Sequence, residues 1–276
     1  MEALASIAKV VAAVVVGLPL AVYFFQDGMI FHPQQPSEAR RGEIARRFPA
    51  VEEVRIESAD GKRLQAWLVK PRQGPLPALP ASPAPLVLYF GGNAEEVSWM
   101  LEQVGNAPSV GWLITAYRGY GASEGQPSER ALIADALLWY EYARKLPGVD
   151  TRRIYAFGRS LGSGVAVPLA AGSKLAGVIL VTPPDSLTAL AQHYYPFLPV
   201  RWILRHPFDS LALAPRIDVP LLCFIAARDE VVPPVHSERL FEAWGGPKLR
   251  VLLEGATHNT TDEAVQFWHE IRRFLG

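Results

Sequence analysis

The chain has 276 residues, half of them hydrophobic, with 27 basic and 27 acidic side chains and a formal net charge of zero. That length fits one α/β domain with a full-sized core plus extras. Balanced charge, with no basic stripe interleaved with aromatics, argues against nucleic-acid binding, and the single cysteine, Cys223, excludes an internal disulfide.

From the amino terminus, Leu4–Phe25 contains only Ser6 and Lys9 as strongly polar residues. A helix of that length reaches about 33 Å, enough for a bilayer core. Lys9 can snorkel to one interface, and Tyr23, Phe24 and Phe25 make an aromatic rim at the other. A cleaved leader is the competing reading, but Tyr23-Phe24-Phe25-Gln26 is a poor cleavage site. Residues 1–26 are therefore expected to form a retained single-pass anchor at a membrane. A polar connector over residues 27–50 follows, with Phe31-His32-Pro33 as a membrane-proximal contact.

Val51–Ser58 and Leu64–Lys70 flank Asp60-Gly61, an antiparallel hairpin signal. Pro71–Pro85 holds six prolines and reads as a stiff surface loop. Strands and helices then alternate: strand Leu86–Phe90, a helix from about Glu95, strand Trp112–Ala116, helix Ser128–Leu146, strand Arg153–Phe157, a helix from Leu161, strand Gly177–Val181. Strand Leu221–Ala226, a helix from about Pro234, strand Leu249–Leu253 and helix Asp262–Phe274 complete the pattern. Such alternation predicts an α/β domain over residues 51–276, a mostly parallel eight-stranded sheet with helices on both faces. The proline- and aromatic-rich stretch at about 183–213 interrupts it at one end of the sheet. It reads equally as a lid supplying an apolar pocket or as a helical excursion packed on the core.

Gly158-Arg159-Ser160-Leu161-Gly162 falls between the apolar run Ile154–Phe157 and a small-residue helical stretch. In that strand-to-helix context G-x-S-x-G means a nucleophile elbow, with glycines where a side chain would crowd the turn. A serine hydroxyl needs a base to take its proton and a carboxylate to orient that base. Asp229 follows the buried-type strand Leu221–Ala226, and His258 follows Leu249–Leu253, giving the order Ser, Asp, His at strand ends. None of the other histidines (His32, His193, His206, His236, His269) follows a predicted strand. Asp185, after Gly177–Val181, is the main rival to Asp229, ahead of Asp209 and Asp218. Two backbone N–H groups should hold a developing oxyanion. Leu161 supplies one and Asn93, in the turn Gly91-Gly92-Asn93, the other, with the neighbouring glycine as fallback. No Cys/His cluster has metal-ligand spacing, and no G-x-G-x-x-G opens a helix after a strand. Neither metal nor nucleotide cofactor is expected.

Four stretches carry a resemblance: Leu88–Ala94, Tyr117–Gly125 with its Arg-Gly-Tyr-Gly loop, Gly158–Ser163, and Gly255-Ala256-Thr257-His258-Asn259. With the apolar amino terminus and Phe31-His32-Pro33, they cover nearly the whole chain. It resembles the α/β-hydrolase fold and, more narrowly, the single-pass membrane-anchored α/β-hydrolase-domain family. Eukaryotic members of that family include protein depalmitoylases and lysophospholipid hydrolases. The resemblance implies Ser160, Asp229 and His258 as a triad and Asn93 in the oxyanion turn. Arg118 and Asp135 match family positions as well, and read as structural. Gly91 departs from the family, which usually carries histidine there, and so puts the rigidity of that loop in question. The expectation is a membrane-tethered serine hydrolase acting without cofactor on a small-molecule or lipid-like acyl ester or thioester. The alternatives are an amidase or aminopeptidase, and a non-catalytic interaction protein on a hydrolase scaffold.

Overall fold

The computed structural model describes residues 6, 16–71 and 83–276. Helix α1 (Leu18–Ile30) and helix α2 (Glu38–Arg47) precede the hairpin β1 (Glu52–Glu57) and β2 (Arg63–Val69). β3 (Ala84–Phe90), the short α3 (Met100–Gln103), β4 (Gly111–Thr115), α4 (Glu129–Ala143), β5 (Val149–Arg159) and α5 (Ser163–Gly172) follow. After β6 (Gly177–Val181) come three short helices, α6 (Leu187–Tyr194), α7 (Val200–Ile203) and α8 (Ser210–Leu213). β7 (Leu221–Ala226), α9 (Pro234–Ala243), β8 (Lys248–Leu253) and α10 (Val265–Leu275) close the chain.

The eight strands form one sheet in the order β1-β2-β4-β3-β5-β6-β7-β8. β1–β2 and β2–β4 pair antiparallel, and every other pair is parallel. Strict alternation along β3 sends Leu86, Leu88 and Phe90 to one core with Trp139 and Val165, and Val87 and Tyr89 to the other with Met100 and Phe267. β3 has β4 on one side and β5 on the other, so the winding direction reverses there. Loops leaving β3 and β5 diverge at such a point and open a crevice beyond the carboxyl ends of the strands. Gly91–Asn93 and Ser160 both emerge there. Cys223 is fully buried within β7, and burial pushes its thiol pKa well up, which suits packing rather than chemistry.

Three expectations are corrected. The segment expected to be one helix from about Glu95 is a chain of short turns, Val97–Trp99, α3 and Val104–Asn106, because Gly105 and Pro108 end it early. Residues 27–50 are more than a connector: α1 runs on to Ile30, and α2 is capped by the Ser37 hydroxyl, which accepts from the Arg40 N–H. Phe31 is not a membrane contact. It is buried in the core, edge-on to Phe208, since an exposed ring would forfeit that burial.

The expected anchor over residues 1–26 stands apart from these. Residues 1–5 and 7–15 lie outside the described residues, and among the described ones no helix is long and apolar enough to cross a membrane. The carboxyl half of α1 is docked on the domain. The Gln26 amide, only 2% exposed, donates to the Ile203 carbonyl and accepts from the Arg205 N–H, while Asp27 pairs with Arg205 and His206. Buried polar groups demand such partners, so the docking geometry is specific.

Both ends of the 183–213 stretch pack on the core: Asp185, Ser186 and Phe208 are buried, and a Cβ on Gly164 of α5 would lie 2.7 Å from the Phe208 ring. Helix α6, by contrast, has no buried residue and stands over the crevice with α7.

Candidate active site

Ser160 has φ of 50°, in the left-handed region that non-glycine residues rarely occupy. The two flanking glycines make this turn possible. A Cβ on Gly158 would sit 2.5 Å from the Gly162 carbonyl oxygen, and one on Gly162 would sit 2.1 Å from that of Phe90. Any side chain at either position would push α5 off the sheet. Strain of about 1–2 kcal/mol at one serine is tolerated because β5, α5 and β3 over-determine its place.

Ser160, Asp229 and His258, successively 69 and 29 residues apart along the chain, meet in one hydrogen-bonded line. Ser160 Oγ lies 3.0 Å from His258 Nε2, and His258 Nδ1 lies 2.8 Å from Asp229 Oδ2. Asp229 Oδ1 is occupied by the N–H groups of Val231 and Val232 at 2.9 and 2.7 Å. With the carboxylate serving as acceptor throughout, the hydrogen on His258 is assigned to Nδ1, leaving Nε2 to accept from the serine hydroxyl. His258 and Asp229 are buried, and Ser160 is partly exposed to the crevice. The rival Asp185 is engaged elsewhere, its Oδ1 2.8 Å from His236 Nδ1. Asp209 caps α8 through the Ala212 N–H.

The turn after β3 is braced from both sides. Glu95 accepts from the Gly92 N–H at 2.6 Å, the Tyr89 hydroxyl at 2.7 Å and the Trp99 indole at 2.7 Å. The Gly92 N–H is thereby taken, which removes the fallback oxyanion donor. Among the described residues no group accepts from the backbone N–H of Asn93 or Leu161. The Asn93 side chain is fully used: Nδ2 donates to the Ile30 carbonyl, and Oδ1 accepts from the Tyr120 hydroxyl at 2.8 Å and the His32 N–H at 3.1 Å. Burial pushes the Tyr120 phenol up to about 12, so it remains a donor across the working range of pH.

Two cavities meet at Ser160 and Asn93. One, about 450 Å³, runs between α1 and α6–α7 and is lined almost wholly by apolar side chains. The other, about 420 Å³, is polar and includes Glu95, Trp99, Arg159, His258 and Asn259. Arg159 ties the polar side together. Its guanidinium stacks over Trp99, lies 3.7 Å from Glu95 and donates to the His258 carbonyl and Asn259 Oδ1 at 3.4 Å. Below the site, Arg118 grips Asp135 through two hydrogen bonds of 2.6 and 2.8 Å and reaches Asp60 at 2.6 Å. That ion pair fixes the Arg-Gly-Tyr-Gly loop, and with it Tyr120. Its partners hold the guanidinium pKa above its ordinary value.

No family model matches the chain. An uncharacterized protein of Mycobacterium tuberculosis is 32% identical over 273 residues, 98% of this chain and 94% of that protein. The α/β-hydrolase domain-containing protein WAV2 of Arabidopsis thaliana is 31% identical over 248 residues, 83% of this chain and 78% of that protein. The chain belongs to the α/β-hydrolase domain-containing proteins. Among solved structures the fold is shared with an acetyl xylan esterase from Paenibacillus sp. R4 at a TM-score of 0.67 and 18% identity, covering 83% of this chain and 84% of that one.

Within this α/β-hydrolase domain the departure at Gly91 has a local cause. A Cβ there would lie 2.7 Å from Val97 Cγ1 and 2.9 Å from Glu95 Oε1, so the space beside the turn is already filled. The Glu95 carboxylate braces the loop where the resembled family carries histidine. Glu95 and the α1 side chains lie outside every motif of the sequence, and Tyr120 stands in it only as part of the Arg-Gly-Tyr-Gly loop. Glu95, two residues past Asn93 in a polar turn, carries no periodic signal, and α1 up to Phe25 is apolar on every side.

Proposed function

We propose that this α/β-hydrolase is a serine hydrolase cleaving carboxylic ester or thioester bonds through an acyl-enzyme. The observation that carries the reading is the line Ser160 Oγ–His258 Nε2–His258 Nδ1–Asp229 Oδ2, at 3.0 and 2.8 Å, beside two unengaged backbone N–H groups. In this reading Ser160 Oγ attacks the acyl carbon as His258 Nε2 takes its proton. Asp229 keeps the imidazole oriented and stabilises its cation. The N–H groups of Asn93 and Leu161 hold the oxyanion, as pre-aimed donors whose orientation costs nothing during reaction. Collapse of the tetrahedral species breaks the bond to the leaving group, which takes the proton from His258. Water then enters, gives its proton to His258, attacks the acyl carbon and releases the acid, returning the proton to Ser160.

The apolar cavity takes the acyl group and the polar cavity takes the leaving group, the division their linings support. The 183–204 part of the insertion acts as a lid over the acyl side. The test is labelling of the folded protein with a fluorophosphonate: a covalent adduct on Ser160 is expected, and its absence would end this reading.

The same proposal includes a membrane tether. It rests on the apolar run Leu4–Phe25 and on the outward face of α1, where Phe24 and Phe25 are 69% and 72% exposed. Full-length protein should remain with membranes through alkaline carbonate washing. Release by the wash would remove the tether while leaving the chemistry intact.

A further inference from the structure

The apolar cavity has an unexpected wall. Leu18, Val22, Gln26, Met29 and Ile30 recur at helical spacing and form the single stripe of α1 that lines it. The opposite wall is the lid, with Leu190, Tyr194 and Phe197 among its lining residues. Ser160 and Leu161 border the same space, so the candidate nucleophile and one oxyanion donor open directly onto it. Two polar members of the walls, Gln26 and Tyr194, are already partnered. The Gln26 amide is clamped to Ile203 and Arg205, and the Tyr194 hydroxyl donates to the Glu230 carbonyl at 2.6 Å. What faces the space is hydrocarbon.

We propose that α1 is a structural half of the acyl-binding site, and that Leu18, Val22 and Met29 set the length of acyl chain the site accepts. This rests on the hydrolase reading above and adds the residues that govern its acyl-length preference. A methylene takes up about as much room as a water molecule in the liquid, about 30 Å³. A cavity of 450 Å³ therefore accommodates a chain of on the order of ten to fifteen carbons. Each methylene moved from water into such a lining favours binding about fourfold, so selectivity should climb steadily with length. The Gln26 and Asp27 clamps to residues 203–206 keep α1 against the lid, so the wall is built in and does not wait for substrate.

The experiment is a series of p-nitrophenyl esters from acetate to palmitate, assayed with full-length protein in mixed micelles. For the unaltered protein kcat/KM is expected to rise with length up to about ten carbons or more. Val22→Trp places an indole in the cavity and should lower the decanoate-to-butyrate ratio of kcat/KM at least about tenfold. Met29→Trp, a large-for-large change at a half-exposed position, should shift the ratio in the same direction if Val22→Trp fails to fold. Leu20→Trp, on the outward face, should move the ratio less than about twofold. Equal effects of Val22→Trp and Met29→Trp on both esters, or a flat length profile in the unaltered protein, would overturn the proposal while Ser160-dependent butyrate turnover still upheld the hydrolase reading. Failure of the unaltered protein to hydrolyse any ester would instead bring down that reading and this proposal with it.

Discussion

Two histidine–aspartate pairs of equal length stand at the carboxyl end of this sheet. His258 Nδ1 lies 2.8 Å from an oxygen of Asp229, which follows β7, and His236 Nδ1 lies 2.8 Å from an oxygen of Asp185, which follows β6. They differ in what lies on the far side of the imidazole. His258 Nε2 faces Ser160 Oγ at 3.0 Å in a crevice shared by two cavities. His236 Nε2 is buried and, among the described residues, has no hydrogen-bond partner. The Asp185–His236 pair has a structural setting. Asp185 also accepts from the Ser186 N–H and lies 3.5 Å from Arg239, and the neighbouring Ser237 hydroxyl donates to the Pro183 carbonyl. Together these tie α9 to the root of the insertion. A buried imidazole–carboxylate pair is thus not chemically competent in itself. Competence comes from a nucleophile on the remaining nitrogen and from space for a substrate beside it.

The comparison can be broken by substitution. Ser160→Ala should lower kcat on a short ester by roughly 10⁶-fold, leaving the residual rate from the oxyanion donors and binding. Unchanged turnover would place the chemistry elsewhere. Asp229→Asn should cost roughly 10⁴-fold in kcat by misdirecting the imidazole. Asp185→Asn should leave kcat within about tenfold and appear instead as a loss of about 1–3 kcal/mol in denaturant-measured stability, the cost of weakening a buried hydrogen-bonded group. If the two asparagine variants exchanged these phenotypes, the assignment of roles would be reversed.

One smaller effect sharpens it. Tyr120→Phe removes the phenol that donates to Asn93 Oδ1. Loss of one such bond should reduce kcat about three- to tenfold with KM little altered, because the turn it steadies holds the oxyanion donor. An equal loss in KM alone would make Tyr120 a substrate contact.

Much of this was legible from local pattern. Gly158–Gly162 between an apolar run and a helical stretch marked a tight strand-to-helix turn, and the crowding at both glycines shows why no side chain stands at either. Strand ends at Ala226 and Leu253 placed Asp229 and His258 within a few residues of the carboxyl edge. The choice between Asp229 and Asp185 was not legible. Both follow buried strands, and which imidazole each meets depends on how β7 and β8 stack beside β6. The role of α1 was hidden for another reason. Apolar residues on all its sides give no preferred direction, so its periodicity reads as a membrane segment whichever stripe touches protein.

What the order of residues determined by itself is the local chemistry: which strands end in turns, which turn can bear a raised serine, and which side chains could take or orient its proton. These follow from sterics and hydrogen-bonding capacity within a few residues. Only the tertiary structure decided which aspartate faces which histidine, that a glutamate braces the turn beside Gly91, and that one stripe of an apolar helix lines the space next to Ser160. Those outcomes depend on contacts between segments far apart in the chain, whose energies no single segment carries.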